Sequence, residues 1–293
     1  DELKSVPNDQ KPAIGKALNE LRSFAQSSYD EAKLRIEQSA LRREARFDVT
    51  LPGRPIPVGT KHPITRTIEE IVGIFKGMGF TVATGPEIET DYYNFEALNF
   101  PPEHPARDMQ DTFFLAKDIL LRTHTSPVQI RYMETHKPPV RVVIPGRVYR
   151  NETVSARSHV LFHQVELLYV DKGVSMGDLK GTLVAFAKQF YGSSVKYKFR
   201  PTFFPFTEPS ADLYITCIIC NGKGCRMCKN AGWLEILGSG MVHPHLFKNV
   251  GYDPEKYTGF AAGMGVERIA ILRHGIDDIR LFTENDLRFL RQF

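Results

Sequence analysis

Residues 142–170 constrain the fold most tightly, because two β-rich runs there flank a short polar loop. Val142, Val143, Ile144, Val148 and Tyr149 supply the first run; Phe162, Val165, Leu167, Leu168, Tyr169 and Val170 supply the second. Between them stand Arg150, Asn151 and Glu152, followed by a loop with Arg157 and His159. Gln164 and Glu166 are two apart, so a strand turns both to one face. The pattern predicts a sheet with Arg150 and Glu152 on one strand face, beside Gln164 and Glu166. Such a charged floor needs partners, which a ligand with phosphate and amine groups supplies. An open sheet face carrying surface ion pairs satisfies the same pattern.

A second stretch, residues 259–268, adds Gly259, Gly263 and Gly265 ahead of a helix-like run over 266–273. Glycine lets a backbone approach a neighbouring strand or a ligand closely. Arg268 then falls at a strand-to-helix junction, facing any phosphate held there. An Arg-x-Glu on a strand–loop–strand together with Gly-x-Gly-x-Glu-Arg entering a helix resembles motifs 2 and 3 of the class II aminoacyl-tRNA synthetases. Thr123–His124–Thr125–Ser126–Pro127, Phe162–His163–Gln164–Val165–Glu166, Phe204–Pro205–Phe206–Thr207–Glu208–Pro209 and Gly240–Met241–Val242–His243–Pro244 narrow the likeness. In that order they resemble the α subunits of bacterial phenylalanyl-tRNA synthetases, from about Lys11 to the last residue.

The resemblance implies an α+β fold: a class II antiparallel sheet flanked by helices, with an N-terminal helical arm and a small four-cysteine insertion. It implies a phenylalanine–tRNA ligase that uses ATP and Mg²⁺, recognises tRNA(Phe), and assembles with a larger β subunit as α2β2. By the same likeness Arg150 contacts the α-phosphate of ATP and Arg268 the terminal phosphates, both suited to fork-like bonds. Glu152 lies near the adenine amine and Phe162 stacks on the ring. Gln164, Glu166, His124 and Ser126 meet the amino acid's ammonium. Phe204 and Phe206 form an aromatic pocket with Ala261 at its end, and Glu208 is a Mg²⁺ ligand shared with the partner subunit. Alternatives remain for single residues: Ser126 also fits a helix cap, and Phe204–Pro205–Phe206 an ordinary buried turn. One departure is Leu167, where the family commonly has Gly; its side chain is expected to face away from Glu166. A ligase for another amino acid and a non-catalytic, synthetase-derived tRNA-binding module are the competing functions.

The chemistry fits what is missing as well as what is present. A carboxylate attacking the α-phosphorus of ATP is already ionised, so the reaction needs orientation and charge neutralisation rather than a general base.

In chain order, residues 11–46 are polar with a thin stripe: Ile14, Leu18, Leu21, Ala25, Ser28 and Ala32 alternate steps of four and three. That spacing fits a partial coiled coil as well as an ordinary surface helix; the resemblance favours a tRNA-facing arm over 1–50. Pro52, Pro55, Pro57 and Pro63 with Gly53 and Gly59 mark a linker, leaving 51–293 as the catalytic domain. Ile64, Ile68, Ile71, Val72, Phe75 and Met78 form a helical stripe, and Phe80 and Val82 begin a strand that Pro86 interrupts. Residues 92–111 read as a loop that serves as a lid. Met176, Leu179, Leu183, Phe186, Ala187 and Phe190 define an amphipathic helix.

All four cysteines fall at 217–228 as two Cys-x2-Cys knuckles: Cys217, Cys220, Cys225 and Cys228. Four thiolates suit tetrahedral Zn²⁺ in a structural role; an Fe–S cluster or free, redox-active thiols fit the same count. Clustered cysteines, the absence of any apolar run approaching 18 residues and no visible signal peptide favour a reducing, cytoplasmic setting without a membrane partner. With 293 residues, 42% apolar and 25% charged, the chain can bury a core without disulfides. A net charge of +4 permits a nucleic-acid partner without demanding one.

Overall fold

The computed structural model describes residues 7–44, 50–53, 59–107 and 111–293, with residues 41–44 as backbone only. It divides into two compact units, Asp1–Val58 and Gly59–Phe293. Part of the proline-rich linker, 54–58, lies outside the described residues.

In the first unit α1 (Lys11–Glu44) is one continuous helix of 34 residues, about 51 Å long at 1.5 Å per residue. Leu18 and Leu21 of its stripe are exposed.

The second unit opens with α2 (Pro63–Gly77), where His62 accepts the Ile64 N–H and Pro63 stands at the first helical position. Then follow β1 (Thr81–Val82), β2 (Ile88–Thr90), α3 (Asp91–Asn94), β3 (Phe114–Ala116), β4 (Ile119–Leu121) and α4 (Pro127–Thr135). The two expected long strands are β5 (Val140–Tyr149) and β6 (Leu161–Asp171). They are followed by α5 (Met176–Tyr191), β7 (Tyr197–Phe204), β8 (Thr207–Thr216), β9 (Trp233–Val242) and α6 (Pro244–Asn249). The chain finishes with β10 (Thr258–Gly265), α7 (Val266–His274) and α8 (Leu287–Leu290).

Seven strands form the main sheet in the order β1-β5-β6-β10-β9-β8-β7. Every pair is antiparallel except β1 with β5. Strand alternation sorts the side chains between two cores. Val165 and Leu167 of β6 point to the layer of α2, α5 and α7, joining Phe75, Phe186 and Ile269. Leu168 and Val170 point the other way, to a core with Phe95, Ile130 and Phe247. Leu167 is therefore fully buried on the helix side, as the alternation predicts, and leaves the Glu166 side clear.

Two expectations change. β5 ends at Tyr149, and the Glu152 N–H donates to the Arg150 carbonyl at 2.8 Å. Glu152 thus sits in a tight exposed turn rather than beside Arg150 on a strand face. The stretch expected to be a lid is anchored over its described part: Phe95 and Leu98 are fully buried, and Arg107 pairs with Asp91.

Candidate active site

The face of the sheet opposite α2, α5 and α7 opens into a cavity of ≈ 700 Å³. β6, β10 and β9 make its floor; the start of α4 and Phe100 close one side, and the β7–β8 turn the other. Small residues make the floor possible. A Cβ on Gly238 would stand 2.6 Å from the Phe204 ring, and one on Gly263 would press on Glu166 Cγ at 3.2 Å. At the cavity's edge a Cβ on Gly146 would collide with the Arg122 guanidinium, which is buried and donates to the carbonyls of Arg147, Gly85 and Pro86.

Glu166 lies on this floor, 5% exposed. Its carboxylate accepts from the Thr125 N–H at 3.1 Å, Ser126 Oγ at 2.8 Å and Gln129 Nε2 at 2.7 Å. Burial pushes the carboxyl above its ordinary range, although those three donors pull it down. All three donors are neutral, while the guanidinium groups of Arg122 and Arg150 are near enough to feel its charge. Ser126 stands at the first turn of α4, but its hydroxyl makes no cap bond and donates to Glu166 instead. Ser126 keeps the N-cap position without a side-chain cap bond.

Beside the carboxylate stands an aromatic box. Phe204 and Phe206 stack at 5.7 Å, Phe100 lies 5.8 Å from Phe206, and His124 stacks on Phe100 at 5.8 Å. Both ring nitrogens of His124 are shielded and have no partner among the described residues. Burial, then the charges of Arg150 and Arg122, push this imidazole down to about 3, so it is neutral near pH 7. Gln164 Oε1 is likewise shielded and unpartnered. Orphaned polar atoms cost stability unless a ligand or water satisfies them. Ala261, buried, lines the floor near the box.

Arg150 lines the cavity from the end of β5, its guanidinium 5.0 Å from the Phe162 ring centroid. Glu152 lines it too and accepts from Ser158 Oγ. Arg268 is exposed in the first turn of α7 and does not border the cavity itself. Three residues before it, Gly265 pairs with Gln164 in the sheet. The junction is locked by Glu267, whose buried carboxylate accepts the His163 N–H at 2.9 Å and meets His163 Nδ1 at 2.7 Å. Glu208 is exposed, 3.6 Å from His243 Nε2, just outside the cavity. A single exposed carboxylate fits Mg²⁺ whose other ligands are phosphates and water.

Sequence reasoning passed over Thr125, Gln129 and Phe100 as site residues and gave no role to the His163–Glu267 tie. Gln129 was findable, because it is three residues beyond Ser126 on one helix face. Phe100 carries no local signal; long-range packing alone brings it to the cavity.

Away from the cavity, between β8 and β9, the four cysteine sulfurs all lie within 4.8 Å of one another, and all four are free thiols. The Cys217–Cys225, Cys220–Cys228 and Cys225–Cys228 sulfurs are 3.8, 3.8 and 3.7 Å apart. Four sulfurs at about 2.3 Å from one tetrahedral Zn²⁺ stand about 3.8 Å from each other. The Gly224 N–H donates to Cys220 Sγ at 3.2 Å, and the N–H groups of Cys225 and Gly232 to Cys228 Sγ at 3.1 and 3.3 Å. Burial raises the Cys228 thiol, but these amide donors outweigh it and hold it down to about 6. Gly222 and Gly224 take φ of +83° and +95°, which the short spacer needs.

A sheet of this order, with Arg150 lining its cavity and a glycine-bordered helix start at the end of β10, fits a class II synthetase core. Residues 46–293 match the family tRNA synthetases class II core domain (F), and residues 1–45 match the family Aminoacyl tRNA synthetase class II, N-terminal domain. Among curated relatives, the phenylalanine–tRNA ligase α subunit of Chloroherpeton thalassium is 58% identical over 298 residues, covering 100% of this chain and 88% of that one. Those of Chlorobium phaeobacteroides and Caldicellulosiruptor saccharolyticus are 57% and 55% identical, each over 100% of this chain and 87% of theirs. The chain belongs to the family of phenylalanine–tRNA ligase α subunits.

Proposed function

We propose that this chain is the catalytic subunit of a phenylalanine–tRNA ligase. It joins phenylalanine to ATP, giving phenylalanyl-adenylate and pyrophosphate, and then transfers the aminoacyl group to tRNA(Phe). The observation that carries the reading is a buried Glu166 carboxylate with three neutral donors beside an aromatic box, both lining one cavity. An ammonium completes Glu166, and its chain then directs a phenyl ring at Phe204 and Phe206, with Ala261 leaving room at the end. His124 and Gln164 supply shielded groups for the amino acid's polar end.

In the first step the phenylalanine carboxylate attacks the α-phosphorus and pyrophosphate departs with the bonding electrons. Arg150 neutralises the α-phosphate, Phe162 and Glu152 hold the adenine, and Arg268 takes the terminal phosphates from the rim. The His163–Glu267 tie fixes Arg268's helix to the strand bearing Phe162 and Gln164. Mg²⁺ at Glu208, when bound, supplies further charge neutralisation to the phosphates. In the second step a terminal ribose hydroxyl of tRNA attacks the acyl carbon, the acyl–oxygen bond of the anhydride breaks, and AMP leaves with its electron pair, its phosphate taking up the hydroxyl's proton.

The reading extends to the whole chain. Residues 1–50 form a tRNA-facing helical arm and 51–293 the catalytic domain, whose cysteines at 217–228 hold a structural Zn²⁺. The protein works in the cytoplasm with a larger β subunit, as an α2β2 heterotetramer; no helix among the described residues is long and apolar enough to cross a membrane. Exchange of labelled pyrophosphate into ATP, with and without the copurifying larger chain, tests the reading. Exchange dependent on phenylalanine is expected, and dependence on a different amino acid would overturn it.

A further inference from the structure

We infer that Phe203 is the platform on which the unpaired 3′ end of the tRNA stacks when it enters the cavity, a role that rests on the ligase reading above. Of the described residues bordering the cavity, Asp111, Glu152 and Phe203 are exposed. Phe203 is 79% exposed, more than any other large apolar side chain described. It stands beside Phe204, which turns into the aromatic box; the register shift there puts its extra residue on β8, so β7 keeps its alternation and the two side chains leave it on opposite sides. An exposed phenyl ring gains nothing from water, and in the free chain this one contributes little to the core.

The transfer step decides what reaches it. A ribose hydroxyl must come within bonding distance of an acyl carbon held between Glu166 and Phe204, so the terminal nucleotide has to cross the rim. Asp111 and Glu152 repel its phosphate and offer no flat apolar surface. Phe203 offers a ring face, which accepts any base without regard to sequence. Behind it, β7 carries Lys198 and Arg200, both exposed. Lys198 lies 4.4 Å from the Trp233 ring centroid and 5.6 Å from that of Tyr214, on the sheet face that also bears the cavity-lining Asp212 and Glu235. At about 3.4 Å per residue, Lys198 stands roughly 17 Å along the strand from Phe203 and, five residues away, on the opposite face. Asp212 offsets part of Arg200's charge, and both cations face the other side of β7, so the ring itself is the principal anchor.

The test compares wild type, Phe203→Ala and Phe203→Trp in the full chain with its copurified larger partner. Phenylalanine-dependent exchange reads the first step, and single-turnover transfer from preformed adenylate, with tRNA titrated, reads the second. Phe203→Ala should lower transfer at subsaturating tRNA at least about tenfold more than exchange, with the loss mostly in the tRNA concentration for half-maximal rate. Phe203→Trp should restore transfer, which a merely structural role would not. Equal losses in both steps would assign Phe203 to the amino-acid pocket, and unchanged transfer would remove it from the tRNA path. Loss of the copurifying chain would make the ring a protein contact; each of these overturns the proposal. Wild-type exchange that ignores phenylalanine would instead fall on the ligase reading itself, and on this proposal with it.

Discussion

Replacing Glu166 by Gln removes one negative charge and almost no volume, so it isolates what that charge contributes. The carboxylate accepts from Thr125 N–H, Ser126 Oγ and Gln129 Nε2. A Gln keeps an oxygen for Thr125, while its amide can donate to Ser126 Oγ or to a flipped Gln129. The local network therefore survives. Two unit charges 4 Å apart attract by ~4 kcal/mol at an effective dielectric of ~20, but a Gln oxygen still accepts one bond from the ammonium. The loss is nearer the ~1.5–3 kcal/mol of a charge-assisted bond, or ~10- to 150-fold in kcat/KM for phenylalanine. Stability moves the other way. The folded carboxyl has its pKa raised by burial, so the unfolded chain ionises more readily. That cost is absent below the unfolded pKa, grows as pH rises towards the folded one and stays at its full value above it. Glu166→Gln removes this cost, so Tm near neutral pH should equal or exceed that of wild type. Exchange kinetics across phenylalanine concentration, with melts on the same preparations, give both numbers. An unchanged kcat/KM would show that Glu166 does not hold the ammonium, and a Tm fall beyond ~4 °C would make it a structural residue.

Arg150→Ala and Arg268→Ala should each slow adenylate formation at least ~100-fold in exchange, as loss of one preorganised cationic donor does; wild-type rates in folded protein would remove them from the mechanism. His124 is held neutral down to about 3, whereas the unfolded imidazole protonates near 6.5. Folding stability should accordingly fall as pH drops between those values, by up to ~1.4 kcal/mol per pH unit from this group. The difference between wild type and His124→Gln in denaturant titrations across that range should show this slope. Gly238→Ala puts a methyl 2.6 Å from the Phe204 ring and should lower kcat/KM for phenylalanine about tenfold, read in the same exchange assay. Metal analysis should find about one Zn per chain; Cys220→Ser should then reduce thermal stability more than activity at a permissive temperature, and a stable, metal-free reduced protein would reject the site.

Much of the sheet could be read from residue spacing. The β5–β6 pair, α5 and α7 were legible because strand and helix periods differ, and Leu167 was placed correctly by alternation alone. The four cysteines were legible because thiolates so close in sequence have few other uses. Glu152 was misplaced on a strand because the end of β5 is set by a turn hydrogen bond, which hydrophobic pattern does not encode. Phe100 was missed because its stacking on His124 joins residues 24 apart with no shared period. Sequence determined which residue types were available and which strand face each would take. Tertiary structure alone decided that Glu166 keeps three neutral donors, that no described group hydrogen-bonds the His124 ring, and that Phe203 is left in solvent. Those are properties of burial, and burial depends on which distant segments pack together rather than on the identity of the neighbours in the chain.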